Sequence, residues 1–230
     1  MQNVKRNIIT ASWMAIACLA MACNNQPQEQ KENKNPVSDD RDSLYQQGRL
    51  ENYNGHVFNE MKPLVHSGDI VTRCGSDLTS EILKRLNEKD KTFSHIGIAS
   101  IENDTVFIYH SIGGEFNPDQ KLKREILWSF THPADNKAAG IFRLPLKENQ
   151  QKILVAEVQR LYKSGVPFDM DFDWTTNDRL YCAEFVVKSL DKALGDTNYF
   201  HHTRIMGKEG VGIDDVTRNK NAVMVGKWEY

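Results

Sequence analysis

Residues 94–112 read SHIGIASIENDTVFIYHSI, two mainly apolar runs separated by Asn103-Asp104. The pattern predicts a β-hairpin, because Asn and Asp tolerate the left-handed backbone that a two-residue turn needs. Such a turn places residues whose numbers add to 207 opposite each other. His95 then faces Ile112, and His110 lies diagonal to His95 on the same face, about 7–8 Å away between α-carbons. A three-residue turn would move His110 to the opposite face.

The rest of the domain reads as helices before and after a group of strands. Strands are predicted over 69–72, 94–101, 105–112, 140–144 and 222–225. Helices are predicted over 78–86 (capped by Ser76-Asp77), 147–163 (with Ile153, Leu154, Val158, Leu161 and Tyr162 inward) and 182–194. This order indicates an α+β domain, in which a small antiparallel sheet or barrel packs against helices.

The N-terminus has the layout of an export signal. Lys5 and Arg6 precede an apolar run that ends in Leu19-Ala20-Met21-Ala22-Cys23, which resembles a bacterial lipoprotein box. We therefore expect a signal peptide over residues 1–22, lipidation of Cys23, a polar tether over 23–52 and one folded domain over 53–230. The alternative is a plain signal peptide or an N-terminal anchor with an incidental cysteine.

Composition excludes several classes of protein and partner. The 230 residues are 40% hydrophobic and 26% charged with a net charge of −2, which does not fit collagen-like, fully disordered or multi-span membrane chains. The sequence contains no basic stripe of the kind that would indicate nucleic acid binding. No Cys-x-x-Cys or His-Glu-x-x-His pattern predicts a metal site, and no glycine-rich phosphate loop predicts a nucleotide, so no cofactor is expected. The oligomeric state is not encoded in any motif.

Cys182 stands where a catalytic thiol is expected, at the first residue of the predicted 182–194 helix. Phe185, Val186, Leu190 and Leu194 line one face of this helix, and Glu184, Lys188, Asp191 and Lys192 line the other. Helix N-terminal N–H groups stabilise a thiolate and lower its pKa, and the backbone N–H of Cys182 can hold an oxyanion. The alternative is a small buried apolar residue.

A thiol nucleophile needs a base, and His95 is the best candidate. It begins an otherwise apolar strand, where an imidazole has no packing advantage over valine. His110 is placed to orient His95, although a core or solvent-facing histidine explains His110 equally well. The acidic stretch 169–174 either lines the cleft or forms a solvated turn in which Asp side chains cap backbone N–H groups.

Four motifs in this order resemble the YiiX/YebB-like branch of the NlpC-type cysteine hydrolases. They are Gly68-Asp69-Ile70-Val71, Thr92–Ala99, Phe168-Asp169 and Tyr181–Val186, and the resemblance covers about 61–194. It implies a circularly permuted papain-like fold with Cys182 as nucleophile, His95 as general base and His110 as the third residue. Many relatives carry a carboxylate at that third position, so histidine is a departure.

The resemblance implies a thiol amidase or peptidase acting on peptide-like bonds outside the cytoplasm, with cell-wall peptides as candidate substrates. A second hypothesis is hydrolysis or transfer of acyl groups in lipid esters or amides, because the permuted fold also resembles the lecithin:retinol acyltransferase group. A binding lipoprotein without turnover is a third. In a fourth, Cys74 and Cys182 form a structural disulfide, which an exported chain permits.

Overall fold

The computed structural model describes residues 55–114, 117 and 119–230. The predicted signal peptide, the predicted lipidation site Cys23 and the tether lie outside the described residues. Within the described part of the chain, no helix is long and apolar enough to span a membrane.

The order of elements matches the α+β prediction. The helices are α1 Gly55–Met61, α2 Leu78–Leu83, α3 Leu127–Phe130, α4 Glu148–Lys163, α5 Cys182–Leu194 and α6 Ile213–Thr217, with 3₁₀ turns at Lys62–Leu64 and Lys84–Leu86. The strands are β1 Ile70–Gly75, β2 His95–Glu102, β3 Thr105–His110, β4 Lys123–Ile126, β5 Asn136–Arg143, β6 Thr203–Ile205, β7 Lys208–Gly210 and β8 Val223–Glu229.

In the described residues, six strands form one antiparallel sheet in the order β4-β3-β2-β1-β5-β8, and β6 pairs with β7 separately. Successive side chains of a strand point to opposite sides of the sheet. Because the central strands carry apolar residues in succession, both faces of the sheet are apolar. Ile70, Ile96 and Ile98 pack with α4 and α5 in one core cluster. Val71 and Ala99 pack with α1 and α3 in the other.

The β2–β3 hairpin has the predicted register. Glu102 pairs with Thr105 and Ile98 pairs with Tyr109, so residue numbers across the hairpin add to 207. Asn103 and Asp104 both have left-handed φ angles, 48° and 63°, as a two-residue turn requires. A side chain at Gly97 would lie 2.7 Å from the backbone oxygen of Tyr109, so the close approach of the two strands depends on this glycine.

Several side chains lie elsewhere than the sequence pattern predicted. Leu78 and Ile82 of α2 are exposed, at 76% and 55%. In α4, Ile153 and Tyr162 are partly exposed instead of inward, at 41% and 38%. The largest error is in α5, where two residues of the predicted polar face, Glu184 and Asp191, are buried. Helix periodicity alone therefore does not determine burial at these positions.

Candidate active site

Cys182 is the first residue of α5, as predicted, and the start of this helix is fixed from both sides. Glu184 accepts a hydrogen bond from the backbone N–H of Tyr181 at 3.1 Å, in the manner of a capping box. The hydroxyl of Tyr181 accepts one from the N–H of Val211 at 2.8 Å. The thiol is therefore held at the positive end of a helix whose first turn cannot easily move.

The protonation state of Cys182 differs from the sequence-based expectation. Burial raises the pKa of Cys182 to about 11, although the backbone N–H groups of Ala183, Cys182 and Ile96 and the charge of Arg73 act to lower it. The N–H groups do face the sulfur, as the helix start predicted, but the loss of hydration outweighs them. With this pKa, the Cys182 thiol is neutral near pH 7.

The two histidines meet as the hairpin register predicted. His95 Nε2 lies 2.8 Å from His110 Nδ1, and the ring planes are nearly perpendicular. Phe130 of α3 packs against both rings, with centroids 5.7 Å from His95 and 5.1 Å from His110. Burial lowers the pKa of both imidazoles, and the positive charge of Arg73 lowers both further. Both are neutral near pH 7, so His95 is able to accept a proton.

Two charged residues that sequence reasoning missed complete this cluster. Glu125 Oε2 lies 3.3 Å from His110 Nε2. Burial acts to raise the pKa of Glu125, but its contact with His110 and the positive charges of Arg73 and Lys123 hold that pKa below its usual value. Arg73 is the cross-strand neighbour of His95, and its guanidinium donates to the carbonyl of Phe130 at 3.0 Å and lies over that ring. Neither residue lies in a predicted strand, so the pattern gave no signal for them.

Cys182 and His95 line one cavity of about 550 Å³, together with Arg73 and Glu125. The lining combines polar and apolar side chains. The polar ones include Ser76, Asp77, Ser129, Asp135 and Asn136. The apolar ones include Leu83, Leu86, Phe168, Met170, Phe172, Ile205, Val211 and Ile213. Such a lining can contact both polar and aliphatic groups of a substrate.

The family model described as permuted papain-like amidase enzyme, YaeF/YiiX, C92 family, matches residues 64–220. The chain belongs to this family. A solved structure, described as metalloprotein YiiX from Escherichia coli O157:H7, has the same fold, with a TM-score of 0.57 and 21% identity over 72% of this chain and 98% of that chain. Comparison with curated proteins gave no match. The chain is thus a C92-family cysteine hydrolase of amide bonds, as the resemblance implied.

Cys74 and Cys182 are both free thiols, so the predicted alternative of a disulfide between them is wrong. In the acidic stretch, Asp169 accepts hydrogen bonds from the N–H groups of Asp171 and Asp173, as the turn hypothesis predicted, but Asp169 is buried and not solvated. Met170 and Phe172 of the same stretch line the cavity, as the cleft hypothesis predicted. Among residues 55–114, 117 and 119–230, no three His, Cys, Asp or Glu side chains are grouped to hold a metal ion.

Proposed function

We propose that this C92-family protein cleaves amide bonds in peptide-like substrates, with Cys182 as nucleophile and His95 as general base. The observation that supports this proposal is the placement of the Cys182 thiol and the His95 imidazole in one cavity, with His95 bonded to His110 at 2.8 Å. A thiol, a base and a group that orients the base are the components of covalent catalysis by a cysteine.

The proposed reaction starts from two neutral groups. Burial raises the pKa of Cys182 and lowers that of His95, so the proton rests on the sulfur. It moves to the imidazole only as the sulfur attacks the carbonyl carbon. The backbone N–H of Cys182, at the N-terminus of α5, stabilises the oxyanion. The His95 imidazolium then protonates the leaving amine. Water, activated by His95, hydrolyses the thioester and restores the thiol.

We propose that this reaction takes place outside the cytoplasm, on a protein anchored to a bacterial membrane by lipid on Cys23. Support comes from the sequence alone: an export signal over residues 1–22, followed by Cys23 and a polar segment. Peptides of the cell wall are the proposed substrates in that compartment.

A second candidate is hydrolysis or transfer of an acyl group from a lipid amide or ester. The apolar side chains of the cavity lining favour it, because Leu83, Leu86, Phe168 and Ile205 offer apolar surface that an acyl chain can contact.

The experiment compares two substrate panels on the full chain purified in detergent. One panel contains short peptide amides, including cell-wall fragments, and the other contains N-acyl amino acids and acyl esters. Variants Cys182→Ala and His95→Ala are measured beside Cys74→Ser, a matched control that removes the other free thiol of the described domain. We expect Cys182→Ala to abolish turnover, His95→Ala to lower kcat at least about a hundredfold, and Cys74→Ser to retain it.

The outcomes separate the candidates. Preferred cleavage of peptides supports the amidase proposal, and preferred cleavage of acyl compounds supports the lipid alternative. Turnover that persists in Cys182→Ala overturns both. For the anchor, Cys23→Ser should move the protein from the membrane fraction to the soluble fraction, while Cys18→Ser leaves it membrane-bound.

A further inference from the structure

We propose that Glu125 is a positioning residue that sets the tautomers of His110 and His95, so that Nδ1 of His95 is unprotonated and able to take the thiol proton. The inference rests on the proposed function, because it assumes that His95 is the base for Cys182. It adds a fourth residue, on β4, behind the Cys182–His95–His110 set.

The first step is the contact between Glu125 and His110. Glu125 Oε2 lies 3.3 Å from Nε2 of His110, and this nitrogen is buried with no well-aligned hydrogen bond to any described residue. The interaction is therefore mainly electrostatic. The positive charges of Arg73 and Lys123 hold the pKa of Glu125 below its usual value, so Glu125 is a carboxylate that only accepts. A lone pair on Nε2 would face this negative charge, whereas an N–H is attracted to it, so His110 carries its proton on Nε2.

The second step passes this choice to His95. A neutral imidazole has one N–H, so a proton on Nε2 of His110 leaves a lone pair on its Nδ1. That lone pair lies 2.8 Å from Nε2 of His95 and accepts a hydrogen bond from it. His95 is then protonated on Nε2 and bare on Nδ1. In the reverse arrangement, His110 Nδ1–H would donate to His95 Nε2, and His95 Nδ1–H could not act as a base.

The surroundings keep His110 neutral, as the proposed tautomers require. Glu125 raises the pKa of His110, while burial and the positive charges of Arg73 and Lys123 lower it, and the lowering dominates. A doubly protonated His110 would donate to both neighbours and force the wrong tautomer on His95.

The test reads the tautomers directly by nitrogen NMR of the full chain in detergent, with its seven histidines labelled with ¹⁵N. The His95 and His110 signals are assigned by single substitutions. At pH 7.5 we expect both rings to be protonated on Nε2. Glu125→Leu should convert His110 to the Nδ1–H form or to a mixture, and His95 with it, whereas Glu125→Gln should retain part of the original form because its amide oxygen still accepts.

Activity supplies the second measurement. With an amide substrate from the panel, Glu125→Leu should lower kcat about a hundredfold with KM within about twofold, and Glu125→Gln should be intermediate. Glu102→Gln is the matched control, since it neutralises a carboxylate of the same sheet that binds Arg124 and Tyr109 and touches neither histidine.

A His110 protonated on Nδ1 in the unsubstituted protein would overturn the proposal. Unchanged tautomers and kcat in folded Glu125→Leu would also do so. If that variant does not fold, the same comparison is made with Glu125→Gln. An unchanged spectrum and kcat in Glu125→Gln would then contradict the proposed role of Glu125. The NMR measurement needs no substrate, so failure of the hydrolase proposal can be distinguished from failure of the proposal that Glu125 sets the tautomers.

Discussion

Arg73 places a fixed positive charge near Cys182 and His95, the two groups that exchange a proton in the proposed reaction. Its charge lowers the pKa of the Cys182 thiol and that of the His95 imidazole. In the proposed reaction, the thiolate is therefore stabilised by a cation that does not titrate, and His95 stays unprotonated until the thiol gives up its proton. This differs from a resting thiolate–imidazolium pair, which a positive neighbour would oppose on the imidazole side.

Replacing Arg73 should make Cys182 less reactive at a given pH. We expect Arg73→Met to lower the rate of iodoacetamide labelling of Cys182 at pH 9 about tenfold, because loss of a nearby cation raises a thiol pKa by about one unit or more. Arg73→Lys, which keeps the charge, should stay within about threefold. Peptide mass spectrometry of the full chain resolves Cys182 from the other cysteines.

Arg143→Met is the control for this measurement, because Arg143 is a guanidinium of the same sheet that is ion-paired with Asp69 at 2.6 Å and does not line the cavity. It should lower the melting temperature without changing the labelling rate. Equal labelling of Cys182 in the unsubstituted protein and in folded Arg73→Met would mean that Arg73 acts only by supporting the backbone at Phe130.

The sequence predicts some residues of the site and not others. His95 stands out because an imidazole in an apolar strand has no packing advantage. Cys182 alone fits a small buried apolar residue, and it becomes the candidate nucleophile through the order of motifs that it shares with His95. His110 follows from them through hairpin register. Glu125 and Arg73 do not, since a charged side chain in a polar stretch is normally solvent-exposed, and only the pairing of β3 with β4 brings Glu125 behind His110.

Among the elements, the β2–β3 hairpin determines whether the two histidines meet. Its turn residues Asn103 and Asp104 both adopt left-handed backbone angles, which cost an ordinary L-residue about 1–2 kcal/mol. Asp tolerates this conformation better than most side chains but less well than glycine. The turn therefore carries a small strain that a single substitution can relieve or increase.

Asp104→Gly should stabilise the protein by about 0.5–1 kcal/mol, and Asp104→Val should destabilise it by about 1–2 kcal/mol, because only glycine is free of the left-handed penalty. Urea unfolding of the full chain measures both changes. An equal loss of stability in the two variants would show that the Asp104 side chain, and not the backbone angle, supports the turn.

Elements with strong local patterns agree with the sequence prediction, whereas strands whose extent depends on pairing with distant segments do not. Helix α5 has the predicted bounds because its amphipathic face, the capping residue Glu184 and the terminal Gly195 agree. Strand β4 has no apolar alternation and was missed. Strand β5 begins at Asn136, before the predicted start at Gly140, because its extra residues pair with the end of β1 and with β8. Local sequence carries no information about such partners.

At the scale of the whole molecule, stability depends on two sets of buried groups with opposite response to pH. Burial raises the pKa of Glu184 to about 7 and that of Asp191 to about 6, so their contribution is full at acidic pH and is lost as pH rises through those values. Burial lowers the pKa of His95 and His110, so their contribution is full at neutral pH and is lost as pH falls below about 6.5.

Glu184→Gln isolates the first set. A shift of the Glu184 pKa from its ordinary 4.5 to about 7 means that ionisation of Glu184 lowers the free energy of unfolding of the protein by about 3 kcal/mol. The glutamine cannot ionise, and its oxygen still accepts from the N–H of Tyr181. The lost ion pair with Lys188 at 2.8 Å is partly replaced, because Lys188 also donates to Trp174 and Asn177.

We therefore expect Glu184→Gln to be close to the unsubstituted protein in stability at pH 4.5 and more stable by about 2–3 kcal/mol at pH 8, with the gain developing between these values. Urea unfolding of the full chain at several pH values measures it. Glu148→Gln, which removes an exposed carboxylate paired with Lys152, should show no pH-dependent gain. A gain that shrinks as pH rises would mean that the Lys188 ion pair outweighs the cost of burying the Glu184 charge.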